Sequence, residues 1–318
     1  YLVLLNDIQF INISPFSHIY YPNLSISLPQ TLNDFVELLS ERFPSEREGL
    51  KSLTELCLQL SEEITAADEL LGNIDHERAQ QLMPALFKYR KSTLAEVASQ
   101  FISDPKLLGV FASNWPYLGL PPSQVSFVYW STMLIGYMVD GAYYCKGGFQ
   151  QLANTLVKGL QRFNGKIQYK AMVKKIIIEN EQIAGVIVNN QRINATIVIS
   201  NADFKQTVFN MIGEEYFPPR YLQRSKKMTH SLSIFAVYIA TDLDLKAMNL
   251  HHESFCYKDF DHDENFFRTM QGEVSWISIT APTLIDPGLA PEGEHLLMLT
   301  TLLPYQASDS WKEDKPFF

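Results

Sequence analysis

Apolar positions early in the chain recur at three- and four-residue spacing. In "SLPQTLNDFVELLSERF", Leu32, Phe35, Val36 and Leu39 fall on one helical face, Thr31 or Asn33 is available as N-cap, and Pro44 ends the run. A second helix follows in "SEREGLKSLTELCLQL", where Ser45 and Glu48 form an S-x-x-E capping box and Leu50, Leu53, Leu56, Cys57 and Leu60 share a face. The period continues through "STLAEVASQFI", and "GLPPSQVSFVYWSTMLIGYM" begins with a Pro-Pro stop and a new cap, Ser123. Residues from about 30 to 140 are read as mainly helical.

Beyond the pair Gly147-Gly148 the pattern changes. "GKIQYKAMVKKIIIENEQIAGVIVNNQRINATIVIS" is rich in Ile and Val and is broken by turn signals at Asn164-Gly165, Asn180-Glu181 and Asn189-Asn190, which predicts strands joined by tight turns. Further apolar runs, "SLSIFAVYIA", "EVSWISIT" and "EHLLMLTTLL", read as strands of a larger sheet. The fold class is therefore α+β, a helical portion joined to a β-rich one, without internal repeats or low-complexity tracts.

Composition narrows the partners. The chain has 318 residues, 46% of them hydrophobic and 19% charged, which suits a globular protein large enough for two domains. A formal charge of -9 argues against a nucleic-acid partner, because phosphate binding requires a basic surface. Cys57, Cys145 and Cys256 are far apart and have no zinc-ligand spacing, so they are read as reduced thiols in a cytoplasmic chain. No apolar run approaches the roughly 20 residues that span a bilayer. The chain opens on "YLVLL" without a Met and stops at "WKEDKPFF", and the expectation is an excerpt of something longer.

Several chemistries are excluded by pattern. There is no G-x-S-x-G and no G-x-G-x-x-G, and Gly147-Gly148 lacks the Lys-Ser/Thr ending of a phosphate loop. In "KDFDHDENF", Asp259, Asp261 and Asp263 alternate like the start of a calcium loop, but Glu264 and Met270 stand where glycine and a bidentate Glu belong. The segment is read as a solvated loop with no metal, and His251, His252 and His262 as surface residues. The abundant aromatic residues either fill a core or line an apolar tunnel, and composition favours the core.

The order "GLPPSQVSF", "YMVDGAYYCKGGFQQLANTLVKGLQRFNGKIQYKAMVKKI", "AGVIVNNQRINATIVISNAD" and "IDPGLAPEGEHLLML" resembles the phytoene desaturase and retinol saturase family of flavoproteins. "GLPPSQVSF" and "GAYYCKGG" look most like the retinol saturase branch. The resemblance implies a β-sheet substrate domain with a helical cap and part of an FAD-binding Rossmann-like domain. It divides the chain into a helical cap at 1–140, an FAD-proximal helix and strand segment at 141–203, and substrate-domain sheet and loops at 204–318.

The resemblance also implies a site. Gly147 and Gly148 would start a helix that faces the flavin, with Cys145 in place of the family's usual proline. Val173 would hydrogen-bond the adenine through its backbone, and "VISNAD", the dinucleotide domain's return strand, would bring Ser200, Asn201 and Ala202 near the cofactor. Tyr143, Tyr144 and Lys146 would line the substrate pocket, and no catalytic residue is singled out. The family's G-x-G-x-x-G and Gly-Asp flavin motifs would lie upstream of Tyr1 and downstream of Phe318.

The implied activity is FAD-dependent hydride transfer to or from a carbon-carbon double bond of a hydrophobic polyene or isoprenoid. NAD(P)H is a candidate electron donor, and oily substrates suggest a cytoplasmic protein with peripheral membrane contact. A flavin-dependent polyene isomerase and a non-catalytic lipid- or prenyl-binding protein of the same fold remain alternatives.

Overall fold

The computed structural model describes residues 8–70 and 76–305, so the terminal runs "YLVLL" and "WKEDKPFF" lie outside it. The chain divides into two compact units, one comprising the residues up to Thr155 with those from Ser231 onward, the other Leu156–His230.

In the first unit, β1 (Phe10–Asn12), β2 (Ser17–Tyr21) and β3 (Leu24–Leu28) precede α1 (Leu32–Arg42), α2 (Arg47–Leu70), α3 (His76–Leu82), α4 (Pro84–Tyr89), α5 (Leu94–Ala98), α6 (Pro105–Ala112) and α7 (Phe127–Ile135). A π-helical turn, Gly136–Asp140, leads to β4 (Tyr143–Cys145), and α8 (Phe149–Arg162) runs on into the second unit. That unit holds β5 (Val173–Glu179), β6 (Gln182–Val188), β7 (Gln191–Asn194) and α9 (Pro219–Lys226). The first unit resumes with β8 (Ser233–Thr241), β9 (Glu253–Tyr257), α10 (His262–Met270), β10 (Trp276–Thr280) and β11 (His295–Leu303).

The helical reading of residues 30 to 140 matches the helices found there, with local corrections. Thr31 caps α1 as expected, its hydroxyl accepting from the Asp34 N–H. Leu50, Leu53, Cys57 and Leu60 are fully buried along α2. The Ser45–Glu48 box does not start that helix, because a 3-10 turn, Pro44–Glu46, runs straight into it. Glu46 instead accepts the backbone N–H groups of Ser103 and Asp104 ahead of α6. Ser123 does not cap α7 either: Ser126 holds that place, and Ser123 binds the Asp263 carboxylate through its N–H and hydroxyl. The capping box that does form is Thr93–Glu96 on α5.

Six strands form one mixed sheet in the order β3-β2-β9-β10-β11-β8, with β2 and β9 parallel and the other pairs antiparallel. Because side chains alternate across a pleated sheet, register sets which residues share a face. One row on the helix-facing side runs Glu253–Thr280–Met298–Tyr238, and the next runs Phe255–Ser278–Thr300–Ala236. Further along β9 and β10, Tyr257 lies opposite Trp276. There the core is sealed by edge-on contacts of Trp115 with Trp276 at 5.6 Å and with Phe266 at 5.9 Å.

His262 and its neighbours overturn the reading of a solvated loop with surface histidines. Asp261 caps α10 by accepting the Glu264 N–H, so the acidic run starts a helix. His262 is 2% exposed, its Nε2 lying 2.8 Å from the Gly109 carbonyl and 3.0 Å from the Tyr21 hydroxyl. One ring nitrogen thus lies within hydrogen-bond reach of two polar groups inside the core. His251 is half-buried and stacks on His18 with ring centroids 4.1 Å apart.

The second unit carries the antiparallel sheet β5-β6-β7. Its turns are the expected ones, with Asn180, Glu181, Asn189 and Asn190 all at positive φ, as two-residue hairpins of this hand require. The return strand expected at "VISNAD" does not form: residues 198–203 pair with no described strand, and Ile199 is 92% exposed. An extended segment becomes a strand only when a neighbour accepts its backbone hydrogen bonds, and no described strand does so here.

Candidate active site

The expected residues of the first unit gather at β4. That strand lies antiparallel to β1, with Tyr144 opposite Ile11, and Lys146 extends the ladder by donating its N–H to the Gln9 carbonyl at 2.9 Å. The chain then passes through two successive left-handed residues, Gly147 at φ +79° and Gly148 at φ +86°. A side chain would cost roughly 1–2 kcal/mol at each.

The turn is pinned from below. Gly147 donates its N–H to Asp286 Oδ2 at 2.6 Å, and Gly148 donates to the Cys145 carbonyl at 2.9 Å. Asp286 follows the 3-10 turn Pro282–Leu284 just beyond β10, so the end of the large sheet positions the glycines. A Cβ on Gly148 would meet Leu289 Cδ2 and the Tyr144 hydroxyl in ordinary van der Waals contact, both at 3.8 Å.

Tyr144 stands edge-on to Phe149 at 5.3 Å and to His252 at 5.5 Å. Burial raises its phenol pKa, and the nearby Asp286 and Cys145 add to the effect. His252 places Nδ1 3.3 Å from the Ala281 carbonyl, and burial lowers its pKa, so the ring is neutral at pH 7. Tyr143 and Lys146 are exposed.

Next along the chain, Glu253 opens β9 on the helix-facing side. Thr280 donates its hydroxyl to Glu253 Oε2 at 2.7 Å. Burial pushes the carboxyl pKa up to about 7, with the Thr280 bond pulling the other way. Tyr117 covers the neighbouring row, its ring edge-on to Phe255 at 5.3 Å and 5.9 Å from Tyr137. Glu253 is half-buried and Tyr117 is 44% exposed, yet lost hydration dominates the titration of both. Groups surrounded by protein that still keep accessible surface mark a recess rather than a sealed interior.

Val173, Ser200, Asn201 and Ala202 belong to the second unit. Val173 begins β5, an edge strand whose pairing with β6 shifts register between Val173 and Lys175. Ser200, Asn201 and Ala202 lie exposed after β7, where the Ser200 and Thr207 hydroxyls share a hydrogen bond of 2.8 Å and Ala202 donates its N–H to Ser200 Oγ. The structure thus gathers Tyr143, Tyr144, Lys146, Gly147 and Gly148 in one unit, and Val173, Ser200, Asn201 and Ala202 in the other.

Sequence reasoning missed Glu253, Thr280, Asp286, Tyr117 and Tyr137. One signal was present: in "ESFCY" the alternation Glu253, Phe255, Tyr257 puts an acid in phase with two aromatic residues on the inward face. Asp286, in contrast, reaches Gly147 across 139 positions of sequence, which no local pattern reports.

The chain is 27% identical over 295 residues to the chloroplastic prolycopene isomerase of Daucus carota, covering 89% of this chain and 47% of that protein. It is 25% identical over 305 residues to the all-trans-retinol 13,14-reductase of Rattus norvegicus, covering 88% and 50%. The chain therefore spans about half the length of these relatives. Its fold matches the crystal structure of an oxidoreductase from Methanosarcina mazei with a TM-score of 0.62 at 20% identity, over 97% of this chain and 64% of that one. With the model for flavin containing amine oxidoreductases matched over residues 14–315, the chain belongs to that family.

Proposed function

We propose that the protein is an FAD-dependent oxidoreductase that moves hydride to or from a carbon-carbon double bond of a hydrophobic polyene or isoprenoid. The observation that carries this reading is the Gly147-Gly148 turn in a chain of this family: two successive left-handed glycines present main chain without a Cβ. These residues fit a flat ring system approaching the main chain. When bound, FAD would supply the hydride acceptor or donor.

The chain's own groups bind and orient. Gly147 and Gly148 would face the ring, with Asp286 fixing the turn through the Gly147 N–H. Val173 would offer backbone groups from an edge strand, with Ser200, Asn201 and Ala202 also near the cofactor. Tyr143, Tyr144 and Lys146 would line the approach of substrate, and the recess beside Tyr117 and Tyr137 would exclude water from the polyene. In this reading residues 1–140 cap the substrate, 141–203 adjoin the cofactor, and 204–318 supply the substrate sheet. NAD(P)H would be the reductant in the saturating direction.

Similarity to a prolycopene isomerase favours a second reading, isomerisation of a polyene with no net electron transfer. Product analysis separates the two, because a saturase changes the hydrogen count and an isomerase does not. The proposal includes cytoplasmic placement with peripheral membrane contact through exposed apolar side chains such as Tyr129 and Val139, which are 72% and 63% exposed. No helix among the described residues is long and apolar enough to cross a membrane. Salt-resistant insertion into liposomes in a flotation assay would contradict peripheral contact.

The test of the main reading is the absorption spectrum of the purified full-length protein. Bound oxidised flavin is expected, and its absence overturns the reading. Gly148→Leu is expected to lose most of the flavin while unfolding free energy falls by only about 1–2 kcal/mol, the strain of a side chain in that conformation. Unchanged flavin content would remove Gly148 from the site.

A further inference from the structure

Another recess lies at the sealed end of the sheet, where residues 259–262 follow β9 and pack on α6. Its volume is about 560 Å3, within the range of small-molecule sites. Small residues make it a trough: Ala95 and Ala98 of α5 and Gly109 and Ala112 of α6 line it. Gly109 lets the loop come close, since a Cβ there would stand 2.6 Å from the Phe260 carbonyl oxygen and 3.0 Å from the Phe260 Cβ. Phe260, which also lines the trough, is held by Tyr21 stacked on it at 4.0 Å. Helix and ring packing therefore fix the walls, and the apolar surface between them stays open. This is not the recess beside Glu253: β9 runs from Glu253 to Tyr257, so the length of the strand, roughly 13 Å, lies between the two.

Charge is split across the mouth. Lys106, in the first turn of α6, lines one side and holds Nζ 6.0 Å from the centre of the Phe260 ring. Asp259 and Asp261 border the same recess from the loop. Asp259 Oδ1 accepts the Asp261 N–H and Asp261 Oδ1 accepts the Glu264 N–H, and both exposed carboxylates turn their second oxygen to solvent. Lys106 forms no ion pair with either acid, nor with any other described acid. Arg268, whose field reaches Asp259, is bound to Glu264.

The mouth thus offers one cation and two acids around an apolar floor. A plain hydrocarbon would fill the trough and use neither charge. An anionic or a cationic amphiphile would pair with one side and meet a like charge on the other. A zwitterionic head complements both.

We infer that this trough binds a one-chain zwitterionic phospholipid, its acyl chain on the small residues of α5 and α6, its phosphate at Lys106 and its ammonium at Asp259 and Asp261. The inference stands apart from the polyene reading, because none of these residues belongs to the glycine turn or to the recess beside Glu253.

The experiment is isothermal titration of the purified full-length protein with three amphiphiles that share a dodecyl chain, each below its micelle concentration: dodecylphosphocholine, dodecyl phosphate and dodecyltrimethylammonium. The phosphocholine is expected to bind about 2- to 5-fold more tightly than either of the others, the worth of one exposed ion pair. Lys106→Glu is expected to reverse the order, so that the trimethylammonium probe binds most tightly. That variant leaves the fold intact, because the side chain is exposed and an acid suits the first turn of a helix. Ala95→Phe, which fills the trough from a half-buried position, is expected to weaken all three probes at least about tenfold, with circular dichroism confirming that it is folded. Equal affinity for the three heads, an unchanged order in Lys106→Glu, or undiminished binding in a folded Ala95→Phe overturns the inference. Self-association of the wild type that Ala95→Phe abolishes would give the trough to a second copy of the chain and overturn it too. Binding of no probe also overturns it, and leaves the flavin spectrum, which tests the polyene reading, untouched.

Discussion

The two ends of one sheet face meet opposite fates. At the Tyr257–Trp276 end, Trp115 and Phe266 close over the strands, His262 fills the space beside Tyr21, and the Tyr257 hydroxyl donates to the Ser113 carbonyl. At the Glu253–Thr280 end the cover thins to Tyr117 and Tyr137, and accessible surface remains. Both ends use β9 and β10 in one unbroken register, so strand chemistry does not explain the difference. What the helical layer places over each row decides whether it becomes core or recess. A titratable group marks each end, and burial favours the neutral form of both: His262 is lowered to about 4 and Glu253 raised to about 7.

The comparison breaks most visibly at the closed end. Trp115→Ala is expected to cost about 3–5 kcal/mol in a guanidinium titration, the range for removing a fully buried large aromatic side chain. A loss below about 1 kcal/mol would mean that this end is not the sealed half.

The pH dependence of stability then separates the two ends by sign. For His262 the folded pKa lies near 4, below its ordinary 6.5, so the unfolded chain binds the extra proton. Its contribution is complete above pH 6.5 and is lost as pH falls toward 4, by about 3 kcal/mol in all. Subtracting the unfolding profile of His262→Gln isolates this slope, and a flat difference would contradict it.

Glu253 behaves oppositely and more weakly. Its folded pKa lies near 7, above its ordinary 4.5, so the folded chain binds the extra proton. That contribution is complete below pH 4.5 and is lost as pH rises through 7. Partial exposure limits it to about 2 kcal/mol. Glu253→Gln is therefore expected to gain on the wild type between about pH 5 and pH 8 in chemical denaturation. An equal difference at both pH values would show that the open end is not desolvated.

The contrast also shows which parts of the molecule were readable in advance. Leu50, Leu53, Cys57 and Leu60 announced α2 because helical spacing is a local property, and the asparagine turns announced the β5-β6-β7 meander because positive φ is local too. The glycine pair was legible for the same reason. Asp286, Thr280 and Tyr117 were not, since each acts on residues far away in the chain. His262 misled because an acidic run reads as solvated, whereas here one member, Asp261, caps a helix and the next residue turns inward. "VISNAD" misled because a strand pattern records a capacity to pair and says nothing of whether the partner is present.

The parallel joining of β2 to β9 also has a consequence for the order of synthesis. The Tyr21–His262 contact that locks this part of the sheet links residues 241 positions apart. At ordinary translation rates, roughly 10 to 50 seconds separate their emergence from the ribosome. Throughout that interval the β2-β3 hairpin must wait with one edge unpaired, a template for the wrong neighbour. The yield of this protein in cells should therefore depend less on its final stability than on what shields that edge while the chain is still being made.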